Sequence, residues 1–478
     1  MIYFDSDIGD YYHLKFDKMY YDLLDIKRDS YQPDDIILIK SYTYTENGLW
    51  KHFFRIIKFL DIPTFFIHIQ TDQNGLAEKV LPVFEDIFPG EDIKIKIVSS
   101  RKYNTSHTLC VHPFNSIFID NKGKYKMCCI SKDTLGDADI TNTSLEQAQL
   151  SEKFSSVREE MLQSKQPSAC NSCWINERFS SVSMRTSTDQ IFPELTYGTD
   201  YENGSPDIRT LDLHTGNVCN LKCRICNPEN SSSWAKELKQ KNAVNQPSWI
   251  SDTSSFLWQH LKNKLKTLKY ITFHGGEPLL DRKHYAIIDY LLEQNRTDII
   301  LHYNTNGTVY PKILLDKLSK FQQVKLSFSI DNTGKKFEYE RHGKSWDIVY
   351  ANLQKFAKLD RRIFTLQFHS TVSIFNILDL EDLVNICRNL NYGPYFNLLN
   401  SPAHYSILNI PEARRSKIIS KLEKSSNEQV KDFAVYLKNE KQLNLLDDFW
   451  SNTLDKDLLR NENFKMTYPE MSAIISNV

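Results

Sequence analysis

The chain of 478 residues has almost no net charge and no long apolar run. Its 59 Lys and Arg residues balance 60 Asp and Glu residues, so bulk electrostatics gives no reason to expect nucleic acid or an anionic membrane as a partner. No stretch approaches the ~18 uninterrupted apolar residues that a membrane span needs. The N-terminal segment carries several aspartates and no apolar core of signal-peptide length. We therefore expect a cytoplasmic protein with no nucleic-acid partner and no membrane partner.

Cysteine is absent from the first 109 residues and then becomes abundant. Eight of the nine cysteines lie between Cys110 and Cys226. In a reducing cytosol, grouped cysteines bind metal or do chemistry more often than they form disulfides, and an odd total cannot pair completely. The clustering therefore predicts a functional site. The ninth, Cys387, lies at helical spacing with leucines and is interpreted as a core residue.

The pattern of apolar runs predicts four parts. Residues 34–100 alternate short and amphipathic runs, which indicates an N-terminal α/β domain of unknown role over residues 1–105, without a glycine-rich phosphate loop. Residues 106–205 form a cysteine-bearing module with a glycine turn between two β-like runs. Residues 206–400 and a helical segment over residues 401–478 complete the chain.

The third part has a regular rhythm of strand-like runs separated mostly by helix-like stretches. Such βα units predict a parallel sheet closed in part into a (β/α)6 barrel, with the active site at the carboxyl ends of the strands. The fold class is therefore α/β. The predicted strands are residues 210–214, 270–274, 299–303, 324–330, 365–372 and 395–399.

Three cysteines follow the first predicted barrel strand as C-x3-C-x2-C. Cys219, Cys223 and Cys226 are close enough in sequence to hold one face of an iron–sulfur cube, which leaves one iron without a protein ligand. The alternative is zinc completed by His214 or His274. Structural zinc usually has paired C-x2-C knuckles and four protein ligands, so this alternative is the weaker one.

A Gly-Gly-Glu-Pro turn follows the second predicted strand. Gly275 and Gly276 let a ligand approach the backbone closely, and Glu277 before Pro278 supplies a carboxylate at the strand's carboxyl end. Alone, the turn has an ordinary structural interpretation. Its position one βα unit after the cysteine loop makes the combination specific.

With these two motifs, residues 209 to about 400 resemble the radical S-adenosylmethionine (SAM) enzymes. The resemblance implies a [4Fe–4S] cluster on the three cysteines, with SAM bound to its open iron and its amino group held by the Gly-Gly-Glu-Pro turn. An electron from the cluster then cleaves SAM to methionine and a 5′-deoxyadenosyl radical, which abstracts hydrogen from a substrate. A low-potential electron donor of ferredoxin or flavodoxin type is the implied partner.

Further polar residues at strand ends match the family less closely. Asn306 and Ser329 are candidate cofactor-binding residues together with the turn, and Glu277 and Asp331 are the candidate catalytic carboxylates. Such residues often only cap the following helix, and that interpretation stays open. One departure is Ile225, where the family often has an aromatic residue before the third cysteine.

A second set of cysteines precedes the barrel. Cys110, Cys128, Cys170 and Cys173 follow a C-x12-G-x4-C…C-x2-C order, which resembles the half-length auxiliary-cluster module called twitch, a relative of the SPASM domain. The resemblance implies an auxiliary [4Fe–4S] cluster. The glycine spacing favours Cys128 over Cys129 as a ligand, and a structural zinc site remains an alternative.

The motifs predict a radical SAM enzyme whose substrate is a peptide or protein side chain, because twitch and SPASM relatives often act on peptides. The alternative substrate is a small molecule such as a sugar, a nucleotide or an amino-acid derivative. From a different class, the chain would be an iron–sulfur electron carrier or a zinc scaffold without turnover.

Overall fold

The computed structural model describes four strands and one helix within the first 107 residues, and then residues 108–131, 133–178, 183–191, 206–239, 252 and 255–476. The chain divides into two compact units, Met1–His107 and Thr108–Val478. In the described residues no helix has both the length and the apolar character needed to cross a membrane.

The first unit contains a four-stranded parallel sheet in the order β1-β2-β3-β4. Three of the strands fall on the predicted apolar runs, and α1 connects the last two of them. The first strand was not predicted, and the amphipathic run at residues 49–60 lies outside the described residues. The elements are β1 (Ile2–Asp5), β2 (Ile36–Ser41), β3 (Phe66–Thr71), α1 (Leu76–Ile87) and β4 (Lys94–Ser99).

The second unit contains an eight-stranded sheet in the order β12-β11-β10-β9-β8-β7-β5-β6. All of its neighbours are parallel except β5 and β6. The predicted barrel strands are β7 to β12, and the sheet curves as a partial barrel with two open edges. The strands are β5 (Ser116–Ile119), β6 (Tyr125–Lys126), β7 (Thr210–His214), β8 (Tyr270–His274), β9 (Ile300–Thr305), β10 (Val324–Ser329), β11 (Phe364–Val372) and β12 (Gly393–Leu398).

Helices separate most of these strands and form the end of the chain, as the amphipathic stretches predict. In the cysteine module they are α2 (His112–Asn115), α3 (Leu145–Gln149), α4 (Glu152–Leu162), α5 (Asn171–Glu177) and α6 (Met184–Ile191). Between the barrel strands they are α7 (Ser232–Glu237), α8 (Phe256–Lys264), α9 (Tyr285–Glu293), α10 (Lys312–Leu318), α11 (Gly334–Glu340), α12 (Trp346–Phe356) and α13 (Leu380–Leu390). The last are α14 (Ser416–Leu422), α15 (Glu428–Asn439), α16 (Leu446–Arg460), α17 (Phe464–Thr467) and α18 (Pro469–Ile475).

The two faces of the barrel sheet differ in chemistry because successive side chains of a strand point to opposite sides. One face packs on helices: the ring centroids of Phe328 on β10 and Phe356 on α12 are 4.9 Å apart. Buried Cys387 on α13 belongs to this core, as predicted. The other face carries mostly polar side chains and forms the concave side of the partial barrel.

The cysteine module is joined to the barrel through the sheet itself. Strand β5 pairs in parallel with β7, and the hairpin from β5 to β6 turns at Gly123, where φ is +79°. A Cβ atom at this glycine would lie 2.8 Å from the side chain of Ile140. The turn was predicted, whereas the pairing of its first strand with the barrel was not.

Candidate active site

The cysteine loop brings Cys219, Cys223 and Cys226 together at the carboxyl end of β7. All three are free thiols. Burial raises the pKa of Cys219 to about 12, and the neighbouring charges of Cys223 and Cys226 contribute to the rise. Burial followed by the charge of Cys223 also raises the pKa of Cys226 to about 12. The three sulfurs thus form one electrostatically coupled group.

The donor set fits an iron–sulfur cluster. Buried thiols that raise one another's pKa remain protonated unless a positive centre joins them, and coordinated metal stabilises the thiolate form directly. Helix α7 holds the loop in place: the Ser232 side chain accepts the Cys219 N–H at 3.1 Å, and the Trp234 indole donates to the Cys223 carbonyl at 2.8 Å. These two hydrogen bonds hold the loop backbone and do not involve its sulfurs.

The two glycines of the turn are required by their contact with the start of the loop. The Gly276 N–H donates to the Gly216 carbonyl at 2.9 Å. A Cβ atom at Gly276 would lie 2.5 Å from the Val218 carbonyl oxygen, and one at Gly275 would lie 2.7 Å from the Thr215 hydroxyl. Only glycine lets the two backbones approach so closely.

Glu277 lies at the centre of this packing and is only 1% exposed. Its carboxylate accepts hydrogen bonds from the Leu279 N–H (3.0 Å), the Thr305 hydroxyl (2.7 Å) and the Asn306 N–H (2.5 Å). Burial raises the pKa of Glu277 to about 7, although these hydrogen bonds oppose the rise. The carboxylate ties the end of β8 to the end of β9, and Pro278 beside it is buried.

Asn306 lies against the cysteine loop. Its amide nitrogen donates to the Asn220 side chain at 3.1 Å and lies 3.9 Å from the Cys219 sulfur. Its side-chain oxygen accepts the Thr308 N–H at 3.0 Å, within the turn that follows β9. The N-cap of the next helix, α10, is Pro311, so Asn306 does not cap that helix.

Ser329 and Asp331 lie at the end of β10. Ser329 is half-buried and opposite His369 in the register of β10 and β11. Asp331 is buried, and its carboxylate accepts the Thr371 N–H at 2.8 Å and pairs with Arg341 at 2.6 Å. The predicted catalytic carboxylate is thus already engaged by two partners.

Arg224, between two of the loop cysteines, was not predicted as a site residue. Its side chain is fully buried and pairs with Asp457 at 2.6 Å and Glu462 at 2.5 Å. The guanidinium lies 3.5 Å from the ring centroid of Tyr339. Since both carboxylates come from α16 and the residues just after it, the C-terminal helices hold the cysteine loop through a buried ion network.

We expect Asp457→Ala to lower the free energy of unfolding by about 3 kcal/mol, because it leaves a buried guanidinium with one carboxylate instead of two. Anaerobic urea unfolding followed by circular dichroism measures this change. Asp455→Ala, an exposed aspartate on the same helix, is the matched control and should change stability little. Equal stability of the two variants would contradict the assigned role of the network.

The second set of cysteines also converges. Burial raises the pKa of Cys110, and the charges of Cys173, Cys128 and Cys170 add to the rise. The four come from three separate segments: Cys110 lies two residues before α2, Cys128 lies two residues after β6, and Cys170 and Cys173 lie at the start of α5. Their coupling fits a cluster with four protein ligands in the same way as the loop cysteines do.

Cys129 differs from its neighbour in the charged group that influences its pKa most. After burial, the largest influence on the pKa of Cys129 is the charge of Asp212 on β7, whereas for Cys128 it is the charge of Cys173. The charge of Cys128 also raises the pKa of Cys110 and of Cys170. Cys128 is thus the one of the two that is coupled more closely to the other auxiliary cysteines.

We therefore expect Cys128→Ala to lose the auxiliary cluster and Cys129→Ala to keep it. Iron and sulfide per chain after anaerobic reconstitution measure this difference, with a fall to about half of the wild-type iron for Cys128→Ala. Cys129→Ala serves as the matched control, because it removes an adjacent buried thiol. Iron loss in Cys129→Ala alone would reverse the assignment.

Arg185 on α6 is a further residue that sequence reasoning missed. It pairs with Glu177 at 2.5 Å, donates to the Leu109 carbonyl at 2.8 Å and lies 4.9 Å from the ring centroid of Trp174. These contacts fix the segment before Cys110 against helix α5, which carries another cysteine of the set. An arginine in a polar segment gives no signal of this role in the sequence.

The concave face of the sheet is lined by histidines and neutral polar groups, which we call the inner chamber. Two groups of polar side chains cross it. In the first, His274 forms a hydrogen bond with Asn304 at 2.9 Å, and its Nε2 atom lies 3.9 Å from the Asp212 carboxylate. The second group is a hydrogen-bonded chain across three strands, at distances of 2.6 to 2.9 Å, formed by His302, Ser327, Gln367 and His369.

Burial keeps His214, His302 and His369 of the inner chamber uncharged at neutral pH. It lowers the pKa of His369 to about 4 and that of His214 to about 3, and the charge of His274 adds to both changes. The chamber therefore offers neutral hydrogen-bonding groups beside the cysteine loop.

The zinc alternative relied on His214 or His274, and both belong to the inner chamber. His274 contacts Asn304 rather than a cysteine. In the part of the chain that the structure describes, no three His, Cys, Asp or Glu side chains are arranged to hold one metal ion.

Comparison with protein families agrees with this geometry. Residues 213–387 match the Radical SAM superfamily. The chain carries a radical SAM domain. Residues 110–174 match the SPASM family of iron–sulfur cluster-binding domains. The chain thus carries an iron–sulfur cluster-binding domain and a radical SAM domain, and the cofactors that these two families imply are SAM, a SAM-binding [4Fe–4S] cluster and an auxiliary iron–sulfur cluster.

One curated relative and several solved structures are similar to the chain. The relative is a probable GTP 3′,8-cyclase of Methanocaldococcus jannaschii, 26% identical over 186 residues, which are 38% of this chain and 56% of that protein. The chain thus covers little more than half of the relative.

Among solved structures, native anSMEcpe with bound AdoMet and Cp18Cys peptide is 16% identical, with 53% of this chain and 66% of that chain covered and a TM-score of 0.33. The radical SAM methyltransferase TsrM of Kitasatospora setae, with cobalamin and a [4Fe–4S] cluster bound, is 8% identical, with 82% and 66% covered and a TM-score of 0.30.

Proposed function

We propose that the chain reductively cleaves SAM to a 5′-deoxyadenosyl radical and abstracts hydrogen from a substrate that enters the inner chamber. The observation that carries this proposal is the coupled group of Cys219, Cys223 and Cys226, packed against the Gly-Gly-Glu turn at the edge of a polar concave face. The bound cofactors supply the radical chemistry, and the protein positions and shields them.

All of the predicted site residues except Asp331 have a role in this proposal. The three loop cysteines bind the SAM-binding cluster, and Cys110, Cys128, Cys170 and Cys173 bind the auxiliary cluster in a twitch-type module that precedes the barrel. The turn from Gly275 to Pro278 holds SAM, with Asn306 and Ser329 beside it. The same proposal includes a cytoplasmic location and an electron donor of ferredoxin or flavodoxin type. It also includes the division of the chain into residues 1–105, 106–205, 206–400 and 401–478.

The experiment that tests the reaction uses the full chain, reconstituted anaerobically with iron and sulfide and reduced with dithionite. Release of 5′-deoxyadenosine from SAM supports the proposal. A colourless protein that carries only zinc, or a cluster-loaded protein that makes no 5′-deoxyadenosine, contradicts it and favours a scaffold or an electron carrier.

For the substrate we propose a peptide or protein side chain. The support is the auxiliary-cluster domain at residues 110–174, which the family resemblance associates with peptide substrates, and the separate N-terminal unit, which provides a further surface for a leader sequence. The uncharged donors and acceptors of the inner chamber suit a hydroxyl or amide group near the reacting carbon.

A small molecule is the second candidate, because the curated relative is a probable GTP 3′,8-cyclase. Deuterium transfer into 5′-deoxyadenosine separates the two candidates. Deuterated peptides encoded beside the gene form one arm of the screen, and deuterated GTP and sugars form the other. Deuterium that appears in 5′-deoxyadenosine only with GTP or a sugar overturns the proposal of a peptide substrate. It does not contradict the proposed radical reaction.

A further inference from the structure

Arg341, the residue that follows helix α11, links the cysteine loop to the end of β10. Its Nη1 atom lies 3.8 Å from the Cys223 sulfur, within reach of an N–H···S hydrogen bond. Its Nη2 atom lies 2.6 Å from the Asp331 carboxylate, and the two side chains are 9% and 3% exposed. The guanidinium therefore bridges a loop thiol and a buried carboxylate.

The backbone around Arg341 is fixed to the loop on both sides. The Lys222 N–H donates to the His342 carbonyl at 2.7 Å, and the Arg224 N–H donates to the Glu340 carbonyl at 2.8 Å. These two bonds flank Cys223 in the loop and Arg341 in the facing segment. The guanidinium and the sulfur are thus brought together by hydrogen bonds between the two backbone segments, and not only by the flexible arginine side chain.

The same pairing of backbone segments explains why residue 343, two residues after Arg341, is a glycine. Gly343 has φ +132°, and a Cβ atom there would lie 2.6 Å from the Asn220 carbonyl oxygen. The segment can lie this close to the loop only because that side chain is absent. The close approach of the two backbones therefore requires glycine at residue 343.

Asp331 orients the guanidinium without using all of its donors. The Asp331 carboxylate also accepts the Thr371 N–H at 2.8 Å, which holds it at the end of β10. Within the described residues, the Nε atom of Arg341 is buried and has no hydrogen-bond partner. The ion pair engages one edge of the guanidinium, while Nη1 remains directed at the thiol.

On the basis of the proposed function, we propose that Arg341 is a positioning residue that raises the reduction potential of the SAM-binding cluster, and that the Asp331 carboxylate holds Arg341 in place. Reduction adds one electron from a low-potential donor, forms and breaks no bond, and makes the cluster more negative by one charge. A hydrogen bond to a ligand sulfur and a nearby positive charge both favour the more negative state. Asp331 then acts through Arg341 and not on the substrate.

The test compares the wild type with Arg341→Gln and Arg341→Lys, each reconstituted anaerobically as the full chain. The potential is read from a dithionite titration followed by electron paramagnetic resonance. Addition of SAM identifies the relevant signal, because only the cluster with an open iron changes its spectrum. Arg296→Gln is the control, since that guanidinium binds Asp298 and the Leu265 carbonyl instead.

We expect Arg341→Gln to lower the equilibrium constant for one-electron reduction roughly tenfold, which is about 59 mV. Arg341→Lys keeps the charge but lacks a second nitrogen to span Asp331 and Cys223, so its potential should fall in the same direction by less. Arg296→Gln should match the wild type.

The inference is overturned if Arg341→Gln contains the full amount of iron and sulfide and has the wild-type reduction potential. If Arg341→Gln assembles no cluster, the potential of Arg341→Lys tests the inference in the same way. Loss of the cluster in both variants, with the chain still folded, also contradicts the inference, because Arg341 would then be needed for cluster assembly. A wild type that makes no 5′-deoxyadenosine refutes the proposed function instead, whatever its potential.

Discussion

Replacement of Cys219, Cys223 and Cys226 together with alanine should reduce 5′-deoxyadenosine formation to the level without enzyme. The three thiols form one coupled group at the carboxyl end of β7, and a cluster held there keeps an open iron only while all three bind it. The product is measured by liquid chromatography and mass spectrometry after reduction with dithionite in the presence of SAM.

The iron content of the triple variant shows whether only the SAM-binding cluster has been lost. Its iron should fall to about half of the wild-type content, since the auxiliary cysteines are unchanged. Cys387→Ala is the matched control, because it removes a buried thiol from the core at α13, and it should keep both product formation and iron content. Product formation by the triple variant would refute the proposed function.

Gly276→Ala should slow 5′-deoxyadenosine formation about 100-fold, the scale expected when a reacting group is displaced by about an ångström. The added Cβ atom would lie 2.5 Å from the Val218 carbonyl oxygen, and backbone atoms cannot move aside as a flexible side chain can. The start of the cysteine loop must therefore shift. The rate of product formation and the affinity for SAM report the displacement.

Gly393→Ala provides the control for this substitution. The nearest atom to a Cβ at Gly393 is the Gln367 Cβ at 3.6 Å, an ordinary contact, so this variant should retain the wild-type rate. Thermal unfolding of both variants shows whether the chain remains folded. Wild-type product formation by folded Gly276→Ala would mean that the turn does not position the reaction.

Local pattern was sufficient to predict the barrel strands. Two of them, Thr210–His214 and Tyr270–His274, coincide with the predicted runs because apolar and polar residues alternate between clear loop signals. The cysteine loop and the Gly-Gly-Glu turn each follow one of these strands directly. Motifs at the ends of consecutive parallel strands must lie side by side, so their proximity followed from strand order.

The basic residues of the site could not be predicted, because their partners lie far away in sequence. Arg224 meets Asp457 at a separation of 233 residues, and Arg341 meets Cys223 at a separation of 118. In sequence, each resembles an ordinary solvated side chain. Only the packing of the C-terminal helices and of the segment after α11 buries them against the loop.

Asp331 shows a different limit of sequence reasoning. Its position at a strand end predicted a catalytic or capping carboxylate, but the partner that engages it comes from the turn after the next helix. Residue type and strand position do not show whether a carboxylate faces a ligand or an arginine. That distinction depends on tertiary packing.

The pairing of β5 with β7 affects how the protein can be divided and how it folds. Removal of the cysteine module would leave β7 as a bare edge strand with a row of unpaired backbone donors and acceptors, which invites aggregation. The radical SAM domain and the auxiliary-cluster domain should therefore unfold in one cooperative transition, and neither should be stable when expressed alone. The position of the auxiliary-cluster domain relative to the barrel is held by a shared hydrogen-bond ladder.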